Sequence, residues 1–257
     1  MQTVTELAPY SDEQGNTIVV DGPVPATVRI KFRGSNNRLV IQLPIRLREL
    51  LVDFDCDNGE VRIGASRDVP ALSAAIRVGQ DSKVVIGRNV SSTSTVAMSA
   101  TEGTTLRIGE DVMFASENQV RADDGHPIFD VHTGRRVNVS KNIKIGNHVW
   151  LSRAAVVLGG AKIGDGTVIG YGSIVTGRIP NNCIAAGVPA RVLRRDTAWE
   201  RPHLSLVQPY YKPDASTVTR SKYWAPTEDD TPPLRTRVRR RLGRQRWLRG
   251  LRAAARR

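Results

Sequence analysis

Apolar residues recur every six positions from Ile145 to Pro180. The hexads read Ile145-Gly-Asn-His-Val-Trp, Leu151-Ser-Arg-Ala-Ala-Val, Val157-Leu-Gly-Gly-Ala-Lys, Ile163-Gly-Asp-Gly-Thr-Val, Ile169-Gly-Tyr-Gly-Ser-Ile and Val175-Thr-Gly-Arg-Ile-Pro. A helix repeats near 3.6 residues and a strand near 2, so a strict six fits neither. Each hexad reads as a short strand and a corner, with the aliphatic side chain inward and small residues where a Cβ would obstruct the bend. Three hexads close a triangular coil, and stacked coils bury a continuous aliphatic column.

The pattern extends backwards with wider spacing. Ile108 is followed in phase by Phe114 and Val120, Ile86 by Ser92 and Met98, and Ile63 by Val69 and Ala75. Coil starts near 63, 86, 108, 145 and 163 give steps of 23, 22, 37 and 18. The step of 37 exceeds the bare coil by 19 residues, an excursion from Ala122 to about Asn142. A loop of that length on a regular scaffold is usually functional. Alternating apolar residues over 17–55 predict one or two irregular opening coils. The expected organisation is an N-terminal segment 1–19, a parallel β-helix 20–194, an irregular segment 195–233 and an arginine-rich tail 234–257.

Composition sharpens this picture. Aromatic residues are only 5% of the 257, which suits a narrow aliphatic column better than a broad globular core. Cys56 and Cys183 have no metal-type spacing, and both read as ordinary buried thiols. The amino terminus lacks a basic segment followed by an apolar run, and no stretch approaches 18 apolar residues. These features predict a cytoplasmic protein without a membrane span. The formal charge of +13 is uneven, because residues 235–257 hold 11 arginines and no acid. Without them, 27 Lys and Arg face 25 Asp and Glu, a balance of +2. The tail also carries Leu234, Val238, Leu242, Leu248 and Leu251 at near-helical spacing, which Gly243 and Gly250 weaken.

Two further motifs flank the hexads: Asp124-Gly-His126-Pro-Ile in the long excursion, and Ile184-Ala-Ala-Gly-Val-Pro-Ala-Arg-Val-Leu-Arg194 after the last coil. With them the chain resembles the hexapeptide-repeat acyltransferases, in the branch that O-acetylates galactosides, maltose and polysaccharides. The resemblance covers 108–194 well and 20–107 weakly, and it stops at 195. It implies an all-β fold, a left-handed parallel β-helix, although general crossovers favour the right hand.

The resemblance also implies chemistry. His126 falls on the family's general base, which takes the acceptor hydroxyl's proton as the oxygen attacks the acetyl-CoA thioester. A sugar hydroxyl is a poor nucleophile at neutral pH. An imidazole that titrates near neutrality can accept its proton, for typically about 10²–10⁴-fold in rate. Asp124 and Asp130 flank His126, and either carboxylate, or a backbone carbonyl, would orient the ring. A histidine in an arbitrary loop would be a solvated surface residue; its place in the longest excursion sets His126 apart. His132, His148 and His203 have no motif, and the corner position of His148 predicts a surface side chain.

For acetyl-CoA, Thr176, Arg191 and Arg194 fall on family positions. Arg153, Tyr171 and the Gly177-Arg178 pair depart from the family pattern while remaining in the same region. Tyr171 would narrow the pantetheine groove or stack on adenine, and the arginines would take the phosphates. On the acceptor side, Thr93 and Thr95 stand nearest to where the family carries an asparagine. A β-rich 17–55 replaces the helical amino-terminal region of the small-sugar enzymes, so the expected acceptor is a larger glycan or a lipid-linked precursor. Gly34-Ser-Asn-Asn-Arg-Leu-Val-Ile is reminiscent of enzymes that decorate surface polysaccharides.

The family further implies a homotrimer with sites between subunits. The tail's arginines, with Trp247, fit an anionic membrane surface better than nucleic acid, or else a solvated tail. The competing readings are N-acetylation of an amino-sugar nucleotide and a non-catalytic trimeric scaffold. The metal-dependent carbonic anhydrase branch needs three histidines on adjacent coils, a spacing absent here, and no metal is expected.

Overall fold

Between the two ends, strands pair in parallel with the equivalent strand of the next coil, so the column grows by repetition. The computed structural model describes residues 1–228, of which Met1–Thr227 form one unit. The arginine-rich tail and its expected helix lie outside the described residues. No helix occurs among those described.

Three parallel sheets form the faces of a triangular solenoid. In chain order, the first face carries Thr17–Val19, Arg38–Ile41, Glu60–Ile63, Lys83–Ile86, Thr105–Ile108, Ile143–Ile145, Lys162–Ile163 and Arg178–Ile179. The second face carries Ser91–Ser92, Met113–Phe114, Trp150–Leu151, Val168–Ile169 and Ile184–Gly187. The third carries Thr27–Phe32, Leu47–Phe54, Leu72–Val78, Val96–Ala100, Gln119–Arg121, Val156–Leu158 and Ile174–Val175. Antiparallel strands cover both ends: Gln2–Val4 and Tyr10–Ser11 at the start, Ala190–Arg194 at the finish. They occupy edges that would otherwise offer unpaired backbone groups to another chain.

The expected coil starts are the register. Ile41, Ile63, Ile86, Ile108, Ile145, Ile163 and Ile179 stand in one buried column on the first face. On the third face the column is Ile30, Val52, Ile76, Met98, Val120, Val157 and Val175. This corrects one position, since Ile76 and not Ala75 points inward. A longer corner in that coil moves the phase by one residue. The last turn is also shorter than the hexads predict: Ile179 pairs with Ile163 across 16 residues, because the corner after Val175 lacks two.

The glycines of the Ile-Gly steps serve a different purpose from the one expected. Gly64, Gly87, Gly109 and Gly146 all have ordinary negative φ. A Cβ on Gly109 would lie 2.5 Å from the Gly146 carbonyl oxygen, and one on Gly87 would lie 2.5 Å from that of Gly109. Glycine there admits the next coil. The bend falls two residues later, at Asn89, Asp111, His148, Gly166 and Asn182, all left-handed with φ between 48° and 67°. Asn, Asp and Gly tolerate that region best, so a histidine there is unusual.

Residues 195–227 are irregular and run back over the corner between the first and second faces. Arg201 binds the coils at four points: Asp111 Oδ1 (2.6 Å), Ser91 Oγ (2.9 Å), Asn89 O (3.1 Å) and Val112 O (3.3 Å). Cys183 is buried, with its thiol pushed up by desolvation, but Cys56 is exposed. The expectation that both thiols are buried is corrected: Cys56 lies just beyond the strand Leu47–Phe54, where the chain turns outward.

Candidate active site

The excursion from Ala122 to Asn142 leaves the third face and re-enters the first. It is a short twisted hairpin, with Val137 N donating to Ile128 O, Asp130 N donating to Arg135 O, and an antiparallel bridge between Phe129 and Arg136. Asp130 caps the tip, accepting from His132 N, Thr133 N and Thr133 Oγ1; these bonds hold its carboxyl below the usual range.

His126 sits at the base of this hairpin and is exposed. Its backbone is fixed by Asn138, whose Nδ2 donates to His126 O (2.8 Å) and to Asp124 Oδ2 (2.9 Å). Asn138 Oδ1 in turn accepts from Ile128 N at 2.7 Å. Among the described residues no group hydrogen-bonds to the His126 ring. Asp124 and Asp130 are therefore engaged elsewhere within the chain.

Three residues that carry this geometry had no signal in the sequence. Asn138 is one. Glu102 is the second: its carboxylate takes a two-pronged contact from Arg136 and accepts from Ser140 Oγ (2.5 Å), which ties the hairpin to the preceding coil. The Arg136 guanidinium, then Ser140, hold the Glu102 carboxyl down at about 2. The third is Asp123, buried, which accepts from Ser99 Oγ (2.5 Å) and Gly125 N (3.0 Å) and so fixes the turn before His126. Asp123 and Glu102 depend on partners 24–38 residues away and Asn138 on partners 10–14 residues away, pairings no local pattern encodes.

The residues expected to bind the cofactor fall on three elements. Arg153 and Tyr171 share one corner, the guanidinium 6.0 Å from the ring centroid and paired with Glu117 at 2.6 Å. Tyr171 is 69% exposed. Thr176 and Arg178 are exposed at the corner between the third and first faces. Arg191 and Arg194 are exposed on the closing strand, alongside Ala186 and Ile184. Gly187 N donates to Ser173 Oγ (3.1 Å), which brings the closing turn to the Tyr171 corner. Thr95 Oγ1 donates to Glu49 Oε2, and Thr93 O accepts from Arg48.

His148 reverses expectation. It is 2% exposed, with Nδ1 2.6 Å from Asp111 Oδ2 and Nε2 2.9 Å from Trp199 O. The ring lies between those of Trp199 and Tyr223, at 4.2 and 4.9 Å. The returning 195–227 segment, invisible to a hexad count, buries it. No cluster of three or more His, Cys, Asp or Glu suited to a metal occurs among the described residues.

The family model "Bacterial transferase hexapeptide (six repeats)" matches residues 142–177. The solved structure of the polySia-specific acetyltransferase NeuO is 36% identical. It superposes with a TM-score of 0.67 over 76% of this chain and 90% of that one. The chain belongs to the hexapeptide-repeat transferase family.

Within that family, the polysialic acid O-acetyltransferase of Escherichia coli O1:K1 is 39% identical over 120 residues, 47% of this chain and 39% of the relative. The galactoside O-acetyltransferase of Escherichia coli K12 is 42% identical over 113 residues, 44% of this chain and 54% of the relative. The matched segment thus spans about half or less of these two curated relatives. The polysialic acid O-acetyltransferase OatWY, 23% identical with a TM-score of 0.52, shares the fold.

Proposed function

We propose that this hexapeptide-repeat protein transfers acetyl from acetyl-CoA to a hydroxyl of a polysaccharide or glycan precursor, with His126 as general base. The observation that carries the reading is His126 itself. Its backbone is pinned by Asn138 and its ring has no hydrogen-bond partner among the described residues, at the base of the only long excursion between coils in the described solenoid. A structural histidine here would look like His148, which is buried and bonded at both nitrogens. The named activities of the relatives support the same class.

The step balances simply. His126 accepts the hydroxyl proton as the acceptor oxygen bonds to the thioester carbonyl carbon. The C–S bond then breaks, and the departing CoA thiolate recovers a proton from the imidazolium. No acyl-enzyme is needed, because the thioester is already activated. The exposed Arg153–Tyr171 corner and the exposed Arg191 and Arg194 suit an adenine ring and phosphates, and Thr176 and Arg178 offer further polar contacts. His126→Ala should lower kcat/KM by about 10²–10⁴-fold while leaving the melting temperature and CoA affinity near wild type. The assay is acceptor-dependent release of free CoA. Equal turnover in wild type and variant would remove His126 from the mechanism, and silence of both toward every acceptor would favour a scaffold.

The same reading includes a homotrimer. Ile128, Phe129, Val131, Val137 and Val139 are all exposed on the hairpin, Val131 by 90%, an apolar surface that a second copy would cover. The arginines of 235–257 would add attraction to an anionic membrane surface at the inner face of the cell membrane.

A further inference from the structure

Lys144 follows the histidine hairpin by two residues, and its cross-strand neighbours on the first face are cations. The parallel register sets Arg107 beside Lys144, Lys144 beside Lys162, and Lys162 beside Arg178. All four alternate with buried isoleucines, so they point outward, and all are exposed. At a strand spacing of about 4.8 Å they form a file about 14 Å long that follows the solenoid axis.

Like charges directly opposite each other weaken a sheet. Upstream on the same face such charges are compensated, since Glu60 pairs with both Arg62 and Lys83; at the adjoining corner Glu110 pairs with Arg88. Downstream, Arg107, Lys144 and Lys162 make no ion pair with any described residue. General basicity does not account for this, since the chain outside 235–257 carries only +2. Arg107, Lys144 and Lys162 are thus a local concentration of uncompensated charge among the described residues.

We infer that this file binds an acidic polysaccharide lying along the solenoid axis, with anionic groups of successive sugars over Arg107, Lys144 and Lys162. The inference rests on the proposed transferase reading and deepens it by naming an acid-bearing acceptor. A single small anion would need donors that converge, whereas these are spread in a line. The file also begins where the His126 hairpin returns to the coils: Asn142 Oδ1 accepts from Thr105 N, two residues from Arg107 and two from Lys144. A polymer held there runs beside the loop that carries the base.

The test uses the full chain with two double variants, Arg107→Glu/Lys144→Glu and the milder Arg107→Gln/Lys144→Gln. Acetyl transfer is followed to oligosialic acid and to oligogalacturonate, each beside its uncharged methyl ester. The expected result is a rise of about tenfold or more in KM for the acidic acceptors and a flattened dependence of that KM on salt. Values of kcat, KM for acetyl-CoA and KM for the esters should stay within about twofold. Calorimetric binding of the acidic oligomers to His126→Ala protein, with and without the file substitutions, should give the same ranking without turnover.

An unchanged KM would overturn the inference. So would a parallel rise in KM for acetyl-CoA, which would assign the file to the cofactor, or tighter, file-dependent binding of duplex DNA. Equal use of acidic and neutral acceptors by wild type would sink this inference and leave the transferase reading intact. Absence of any acetyl transfer would sink the transferase reading, while the binding measurement would still decide whether the file holds an acidic glycan.

Discussion

Asn138 ties one arm of the hairpin to three groups on the other, Asp124 Oδ2, His126 O and Ile128 N, through one amide, and its loss should be felt at His126 more than in the fold. Asn138→Ala removes the bonds to Asp124, His126 O and Ile128 N in a partly exposed loop. On the proposed role of His126, the expected outcome is a fall in kcat of about tenfold or more with a small change in melting temperature, because misplacing a general base by an ångström is costly. Faster hydrogen exchange over residues 124–138 would accompany it. Glu102 gives a pH signature. Its carboxyl is held down at about 2 by Arg136 and Ser140. A depressed carboxyl contributes stability that is complete above its ordinary value, near 4.5, and is lost as pH falls toward 2. Proteolysis within the hairpin should therefore rise as pH drops below about 4.5 in wild type, and should be raised and nearly pH-independent in Glu102→Gln.

At the scale of an element, each corner joins a glycine that admits the neighbouring coil to a left-handed residue that makes the bend. Gly109→Ala would drive a methyl into the Gly146 carbonyl and should cost about 1–3 kcal/mol or more, read by chemical denaturation. Asp111→Gly should be milder for the backbone, since glycine accepts φ near 58°, yet it strips Arg201 and His148 of their carboxylate. Arg201→Ala removes one of the two side-chain partners of Asp111 and the bond to Asn89 O, while Val112 O keeps its bond from Ser91 N. A loss of about 2 kcal/mol is expected, less than for a fully buried pair because the arginine and its carboxylate are each partly exposed. Protection of Trp199 from fluorescence quenchers would fall with it. Intact protection in Arg201→Ala would show that the stacked His148, Trp199 and Tyr223 rings hold the strap alone.

For the whole molecule, the exposed apolar hairpin is the feature least compatible with an isolated chain. If the proposed homotrimer forms through this surface, Phe129→Asp should lower the assembly to monomer in light scattering and abolish turnover together with assembly. A monomeric wild type with full activity would refute sites shared between subunits.

The six-residue period alone determined the solenoid, its inward columns and the position of the long excursion, because a repeat writes the same packing instruction once per coil. The spacing by itself placed Ile63, Ile86, Ile108, Ile145 and Ile163 in the column, and the Asp-Gly-His motif marked the loop of interest. The sequence could not say that Ile76 replaces Ala75 in the column, since a corner one residue longer shifts phase without changing composition. It also misplaced His148, whose burial depends on Trp199 and Tyr223 arriving from 51 and 75 residues away in sequence. Asn138, Glu102 and Asp123 were silent for the same reason: polar residues declare a role only through partners. Even the cationic file lies in plain view as Arg107, Lys144, Lys162 and Arg178, yet only the strand register makes them neighbours. Periodic burial is a local property, legible along the chain; hydrogen bonds and charge juxtapositions across coils are set by folding, and only the tertiary structure decided them.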